Sequence, residues 1–169
     1  MHPDAPSPAA DSGSDPPPAA PALDFAFALR VAVAPALELG STHLGRRRVI
    51  AITGGTVAGP RLNGVVLPGG ADWQVIRGDG VAELEARYML QADDGGLIAV
   101  VNRGLRHGPD AVMRKLIAGE PVDPSAYYFR CAPVFETAAP VHQWLTRTVF
   151  VASGARHLDR VEISVYAVG

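Results

Sequence analysis

The strongest constraint on the fold of this chain is a period of two. In residues 81–92, VAELEARYMLQA, the side chains of Val81, Glu83, Glu85, Arg87 and Met89 fall on one face. Those of Ala82, Leu84, Ala86, Tyr88 and Leu90 fall on the other. Successive side chains of a strand point to opposite faces, so this alternation belongs to a half-buried strand. Asp93, Asp94, Gly95 and Gly96 follow, residue types that reverse a hairpin, and LIAVVNRG returns. The pattern recurs. DFAFALRVAV puts Phe25, Phe27, Leu29, Val31 and Val33 on one face. RRRVIAIT ends at Gly54 and Gly55, RLNGVVLP at Pro68, Gly69 and Gly70, and DWQVIR at Gly78, Asp79 and Gly80. YYFRCAPVFE, QWLTRTVFVASG and HLDRVEISVYAV read as three more strands.

One segment breaks the period. GPDAVMRKLIAGEPVDP has Pro109 near its start, Val112, Leu116 and Ile117 at helical spacing, and Gly119 as a stop before Pro121. This predicts a short helix of about three turns. The expected total is about eight to ten antiparallel strands and one helix. A meander of that length leaves exposed edges unless it closes on itself. The expected fold is therefore all-β, a closed or nearly closed antiparallel β-barrel, with a two-sheet sandwich as the alternative.

Composition narrows the functional classes. Residues 1–22 are dominated by Pro, Ala, Ser and Asp. Such a segment buries too little apolar surface to offset its ordering entropy, so a disordered tail is expected before a single domain over 23–169. Of the 169 residues 48% are hydrophobic, enough for a core, and the net charge of -2 offers no basic footprint for nucleic acid. Arg46, Arg47 and Arg48 form one basic cluster, read as a solvated strand entry, with a phosphate or carboxylate contact as the alternative. No apolar run approaches the roughly 20 residues that span a bilayer. The N-terminus lacks the pattern of a secretory signal. The single cysteine, Cys131, excludes a disulfide within the chain and reads as a buried structural thiol. A cytoplasmic protein is expected. The five histidines show no metal-binding spacing, and His142 reads as exposed. The glycine runs match neither dinucleotide nor P-loop patterns. Neither a metal nor another cofactor is expected.

Asp72 and Trp73 follow the flexible bend at residues 68–70. A carboxylate against an apolar wall suits general acid–base work, because burial raises its pKa. The same Asp72 also reads as a cap on the bend, accepting backbone amides.

The string ITGGTVAGPRLNGVVLPGGADWQVIRGDG is followed by ARYMLQADDGGLIAVVNRG, GEPVDPSAYYFRCAPVFET and WLTRTVFVASG. In this order and spacing the blocks resemble the DUF3237 (UPF0311) family over nearly all of residues 25–169. The matching positions are Asp72 and Trp73, Arg87 and Tyr88, Asp94 and Gly95, Asn102, the triplet Tyr128, Phe129 and Arg130, Phe135 and Glu136, and Trp144 and Leu145. The resemblance implies a compact antiparallel barrel that often dimerises, and it leaves the reaction open. It supplies the candidates. Asp72 and Glu136 are the proton-transfer carboxylates. Arg87 and Arg130 hold a carboxylate or oxyanion, or else neutralise the two acids in ion pairs. Trp73, Tyr88, Tyr128 and Trp144 line a pocket or pack in the core. Asn102 orients a carbonyl or ends its strand. Whatever the register, one of Arg87 and Tyr88 must point inward.

These residues predict an acid–base enzyme without a cofactor, an isomerase, dehydratase or cyclase acting on a small carbonyl or carboxylic acid compound. The alternative is a non-catalytic barrel that binds a small molecule. A third reading is a structural dimer whose barrel is packed solid.

Overall fold

A computed structural model describes residues 17–169. Residues 1–16, the greater part of the expected tail, lie outside the described residues. Residues 17–22 carry no helix or strand, and Ala22 exchanges backbone hydrogen bonds of 2.9 and 3.0 Å with Gly169.

Ten strands follow: β1 (Leu23–Val33), β2 (Leu37–Thr42), β3 (Gly45–Ala58), β4 (Gly64–Val66), β5 (Ala71–Ile76), β6 (Ala82–Ala92), β7 (Leu97–His107), β8 (Tyr128–Thr137), β9 (Phe150–Arg156) and β10 (Arg160–Val168). Helix α1 (Asp110–Ile117) lies between β7 and β8. Every pairing is antiparallel. The ladder runs β3, β6, β7, β8, β9, β10 and β1, with β4 and β5 both lying between β3 and β6. Pairing of β1 with β3 closes it into a barrel. The 14 residues of β3 take two partners on each edge, β1 and β2 on one and β4 and β5 on the other. The sandwich alternative does not apply, because a single ladder returns to its first strand.

Alternation sets the lining. On β6 the inward residues are Ala82, Leu84, Ala86, Tyr88 and Leu90, and Glu83, Arg87, Met89 and Gln91 are exposed. On β1 the phase breaks. Phe27, Leu29 and Val31 are buried, but Phe25 lies on the outside, 44% exposed against Tyr166. A bulge between Phe25 and Phe27 shifts the register with β10, and one extra residue flips the side chain to the other face. The helix is also shorter than its sequence pattern, eight residues from a Pro109 cap, because Gly119 (φ +76°) ends it immediately. Residues 143–146, expected to begin a strand, belong instead to a 3-10 helix, Pro140–Thr146, started by its proline.

The two ends of the barrel differ. At one end Phe27, Phe135, Phe150 and Trp144 meet edge to face with ring centroids 5.1–5.8 Å apart, and Leu145 is buried beneath them. Their area and geometry fill that end. At the other end lie the β1–β2 connection, α1 and the β9–β10 turn. Among the described residues no helix is long and apolar enough to cross a membrane.

Closure requires a glycine. Gly55 has φ +147°, and an added Cβ would collide with the Arg30 carbonyl oxygen across the β1–β3 seam. Gly55→Ala is expected to lower the stability by at least about 2 kcal/mol, read from the chemical denaturation midpoint. An unchanged midpoint would show that the seam tolerates a side chain there.

Candidate functional site

The interior is not packed solid. Between the aromatic plug and the open end lies a cavity of about 530 Å³, a size suited to a small organic ligand. Its rim is formed by residues 33–36, Glu38, Ile117, Leu158 and Asp159. One side of the wall is apolar, from Val31, Val161 and Ile163 on β1 and β10. The other side, from β3, β5, β6 and β7, is polar and carries Arg48, Asp72, Gln74, Tyr88, Asn102 and Arg106. Arg156 and Cys131 complete the lining from β9 and β8.

Gln74 organises the polar side. Its carbonyl accepts from Arg48 Nε at 2.8 Å and from Arg106 Nη2 at 3.4 Å, while its amide donates to Asp72 Oδ2. Arg48, Gln74, Asn102 and Arg106 are buried, the last only 2% exposed. The second oxygen of Asp72, the Tyr88 hydroxyl, Asn102 Oδ1, Arg106 Nε and Arg156 Nη1 are all buried without a hydrogen-bond partner. Buried polar atoms are almost always satisfied, so five open groups around one cavity mark a place built for something polar.

The electrostatics agree. Burial raises the Asp72 pKa above the usual carboxylate range, opposed by the Gln74 hydrogen bond and the charges of Arg106 and Arg48. Burial lowers Arg106 to about 9, helped by repulsion from Arg156 and Arg48. Arg48 and Arg156 are lowered too, each mainly by burial. Burial also raises Tyr88, keeping its hydroxyl protonated, and lifts the Cys131 thiol to about 12. The set holds a carboxyl able to exchange protons nearer neutral pH and several donors able to stabilise a developing oxyanion. Among the described residues no three His, Cys, Asp or Glu side chains converge as metal ligands.

Three of the residues expected from the sequence line this cavity: Asp72, Tyr88 and Asn102. The others do not. Arg87 is on the outer face, where Glu85 pairs with it and with Arg103, both at 2.8 Å. Trp73 is half exposed opposite Glu85. Arg130 and Tyr128 point outward from β8, with the guanidinium 5.5 Å above the Tyr128 ring. Glu136 shares that outer face and is exposed. Trp144 belongs to the plug, with Arg61 stacked 3.8 Å from its ring centroid. One physical reason covers the five strand residues among them: each is an odd step from an inward neighbour, and a strand sends the two to opposite faces. Neither Arg87 nor Arg130 pairs with Asp72 or Glu136. His142, read as exposed, instead lies 3.0 Å from Asp94 with its side chain largely covered.

Sequence reasoning missed Gln74, Arg106 and Arg156, and it read Arg48 first as part of a solvated strand entry, whereas the structure buries Arg48 in the cavity wall. The phase signal existed for three of them. Arg48 is in step with Ile50 and Ile52, Gln74 with Asp72, and Arg106 with Asn102.

The fold and cavity define a closed antiparallel barrel with one end plugged and a polar-sided chamber behind the other. The chain belongs to the DUF3237 family, described as proteins of unknown function, whose model matches residues 21–168. A UPF0311 protein from Rhodopseudomonas palustris is 46% identical over 144 residues, 85% of this chain and 94% of the relative. A crystal structure of a conserved protein of unknown function from that organism superposes with a TM-score of 0.87 at 44% identity, covering 90% of this chain and all of the other. A Penicillium herquei protein named as a hydroalkoxylation enzyme is 33% identical over 88 residues, 52% of this chain and 57% of the relative. A crystal structure of an enzyme from that fungus shares the fold, with a TM-score of 0.70 at 20% identity over 92% of this chain and all of the other.

The thiol gives a direct check on the lining. Cys131 is 7% exposed and its pKa is pushed up to about 12, so at about pH 8 almost no thiolate is present. Iodoacetamide is expected to leave the native protein unmodified by mass spectrometry and to alkylate it once in guanidinium. Rapid alkylation of the native state would mean a thiol in open contact with solvent.

Proposed function

We propose that this protein is an acid–base enzyme that moves a proton on a small carbonyl or carboxylic acid compound held inside the barrel. Asp72 is the proton carrier. Arg48, Arg106 and Arg156 stabilise the oxygen on which negative charge develops, and Tyr88 and Asn102 orient the reacting group. Isomerisation, dehydration and cyclisation all fit this set, because each needs a proton moved next to an oxygen-bearing carbon.

The observation that carries the reading is a buried carboxyl with a raised pKa in a ligand-sized cavity, with guanidiniums nearby but none paired to it. A directly paired arginine would hold the carboxyl ionised and idle. The relative named as a hydroalkoxylation enzyme supports the same chemistry. Hydroalkoxylation breaks an O–H bond and forms a C–O and a C–H bond across an alkene. A proton leaves oxygen and arrives at carbon, with no net oxidation.

The test is turnover of ortho-hydroxychalcone, whose ring closure follows this course, together with deuterium exchange at the α-carbon of small keto acids in heavy water. Asp72→Asn is expected to reduce kcat/KM by at least about 100-fold, and Glu136→Gln, on the outer face, to leave it unchanged. As the accepting base Asp72 must start ionised. In the wild type kcat/KM therefore falls as pH drops through a value above the ordinary carboxylate range, and Asp72→Asn lacks that limb. Full activity in Asp72→Asn would remove Asp72 from the mechanism. Tight binding without turnover or exchange would leave the barrel as a binding protein.

A further inference from the structure

The charges buried in the cavity wall do not balance. β3, β7 and β9 each contribute an arginine, Arg48, Arg106 and Arg156, and β5 contributes Asp72, the only interior carboxylate among the described residues. β6 offers the neutral Tyr88, β8 the neutral Cys131, and β1 and β10 only apolar side chains. Two acids stand on the rim. Glu38 is half exposed and reaches Arg48 Nη1 at 3.9 Å, and Asp159 is 77% exposed and lies beside Arg160. Among the described residues neither Arg106 nor Arg156 has a carboxylate within ion-pairing distance. Each also keeps a buried nitrogen with no acceptor, Nε of Arg106 and Nη1 of Arg156.

A guanidinium 2% exposed with no carboxylate paired directly to it is costly. Here three share one chamber and repel one another. Such an arrangement persists when a ligand supplies the missing charge. We propose that the substrate is an organic acid bound as its anion, with its charged oxygens accepting from Arg106 and Arg156 and its apolar body against Val31, Val161 and Ile163. This names the substrate class for the reaction proposed above and rests on that reading of the cavity. The apolar half of the wall favours an organic anion over inorganic phosphate or sulfate, whose hydration shells it cannot replace. The planar fork of arginine matches a carboxylate.

The probes are naphthoate, its neutral amide naphthamide, and naphthylmethylammonium, titrated calorimetrically into the full chain. Naphthoate is expected to bind at least about tenfold more tightly than naphthamide, and the ammonium not at all. Arg106→Met and Arg156→Met are expected to erase the preference for the acid while leaving the amide's affinity nearly unchanged. Arg156→Met, at the less buried guanidinium, keeps the test open should Arg106→Met fail to fold. Equal affinity for acid and amide, or binding of the ammonium, would overturn the assignment. The two readings fail separately. A preference for the acid with no turnover of any organic acid leaves this inference standing and defeats the catalytic one. Turnover of neutral compounds without a preference for acids does the reverse.

Discussion

The interior depends on one amide. Gln74 stands between Asp72 and two guanidiniums, donating to the carboxylate with its nitrogen and accepting from Arg48 and Arg106 with its oxygen. An arginine placed directly on Asp72 would form an ion pair and depress the carboxyl pKa. The intervening neutral group holds the opposite charges close without letting them cancel. The carboxyl stays protonatable and the guanidiniums stay available. Three elements of the site, on β3, β5 and β7, thereby become one hydrogen-bonded unit whose parts are worth more together than singly.

The barrel supports this unit by dividing its interior. The aromatic cluster of Phe27, Phe135, Phe150 and Trp144 supplies apolar burial at one end, so the other half need not be filled. The cavity walls are strand residues held by backbone ladders on both sides. Side chains mounted this way are positioned before any ligand arrives, which is what an electrostatic site requires. The rim, by contrast, is made of connections and of the exposed apolar side chains of Ile117 and Leu158.

The candidate site was half legible. Tyr88 follows from β6 alone, since its alternation puts Arg87 and Tyr88 on opposite faces and the face with Leu84 and Leu90 is the apolar one. Asp72 was marked by its place after a glycine bend. Arg87, Arg130 and Glu136 drew attention because they are charged in distinctive blocks, and they are charged because they face water. Arg48 and Arg106 carry the same charge on the inward phase. Their phase alone does not tell a buried arginine from one solvated outside, because the difference lies in what surrounds it.

By itself the sequence determined most of the strands, their turns and the short helix, since these follow from short-range physics: a period of two, a few glycine and aspartate turns, one proline-started amphipathic run; β2 was not among them, and residues 143–146, read as strand, form a 3-10 helix. It pointed to closure of so long a meander with a sandwich left open, and the pairing of β1 with β3 decided between them. Tertiary structure decided which face of each strand became the interior. Irregularities between Phe25 and Phe27 of β1 and between Ile52 and Gly54 of β3 shift the phase of these strands, and the β1–β3 seam joins segments whose partners are not adjacent in sequence. Only closure brings arginines from β3, β7 and β9 around one aspartate on β5, and the charge imbalance that results belongs to the enclosed space and to no segment of the chain.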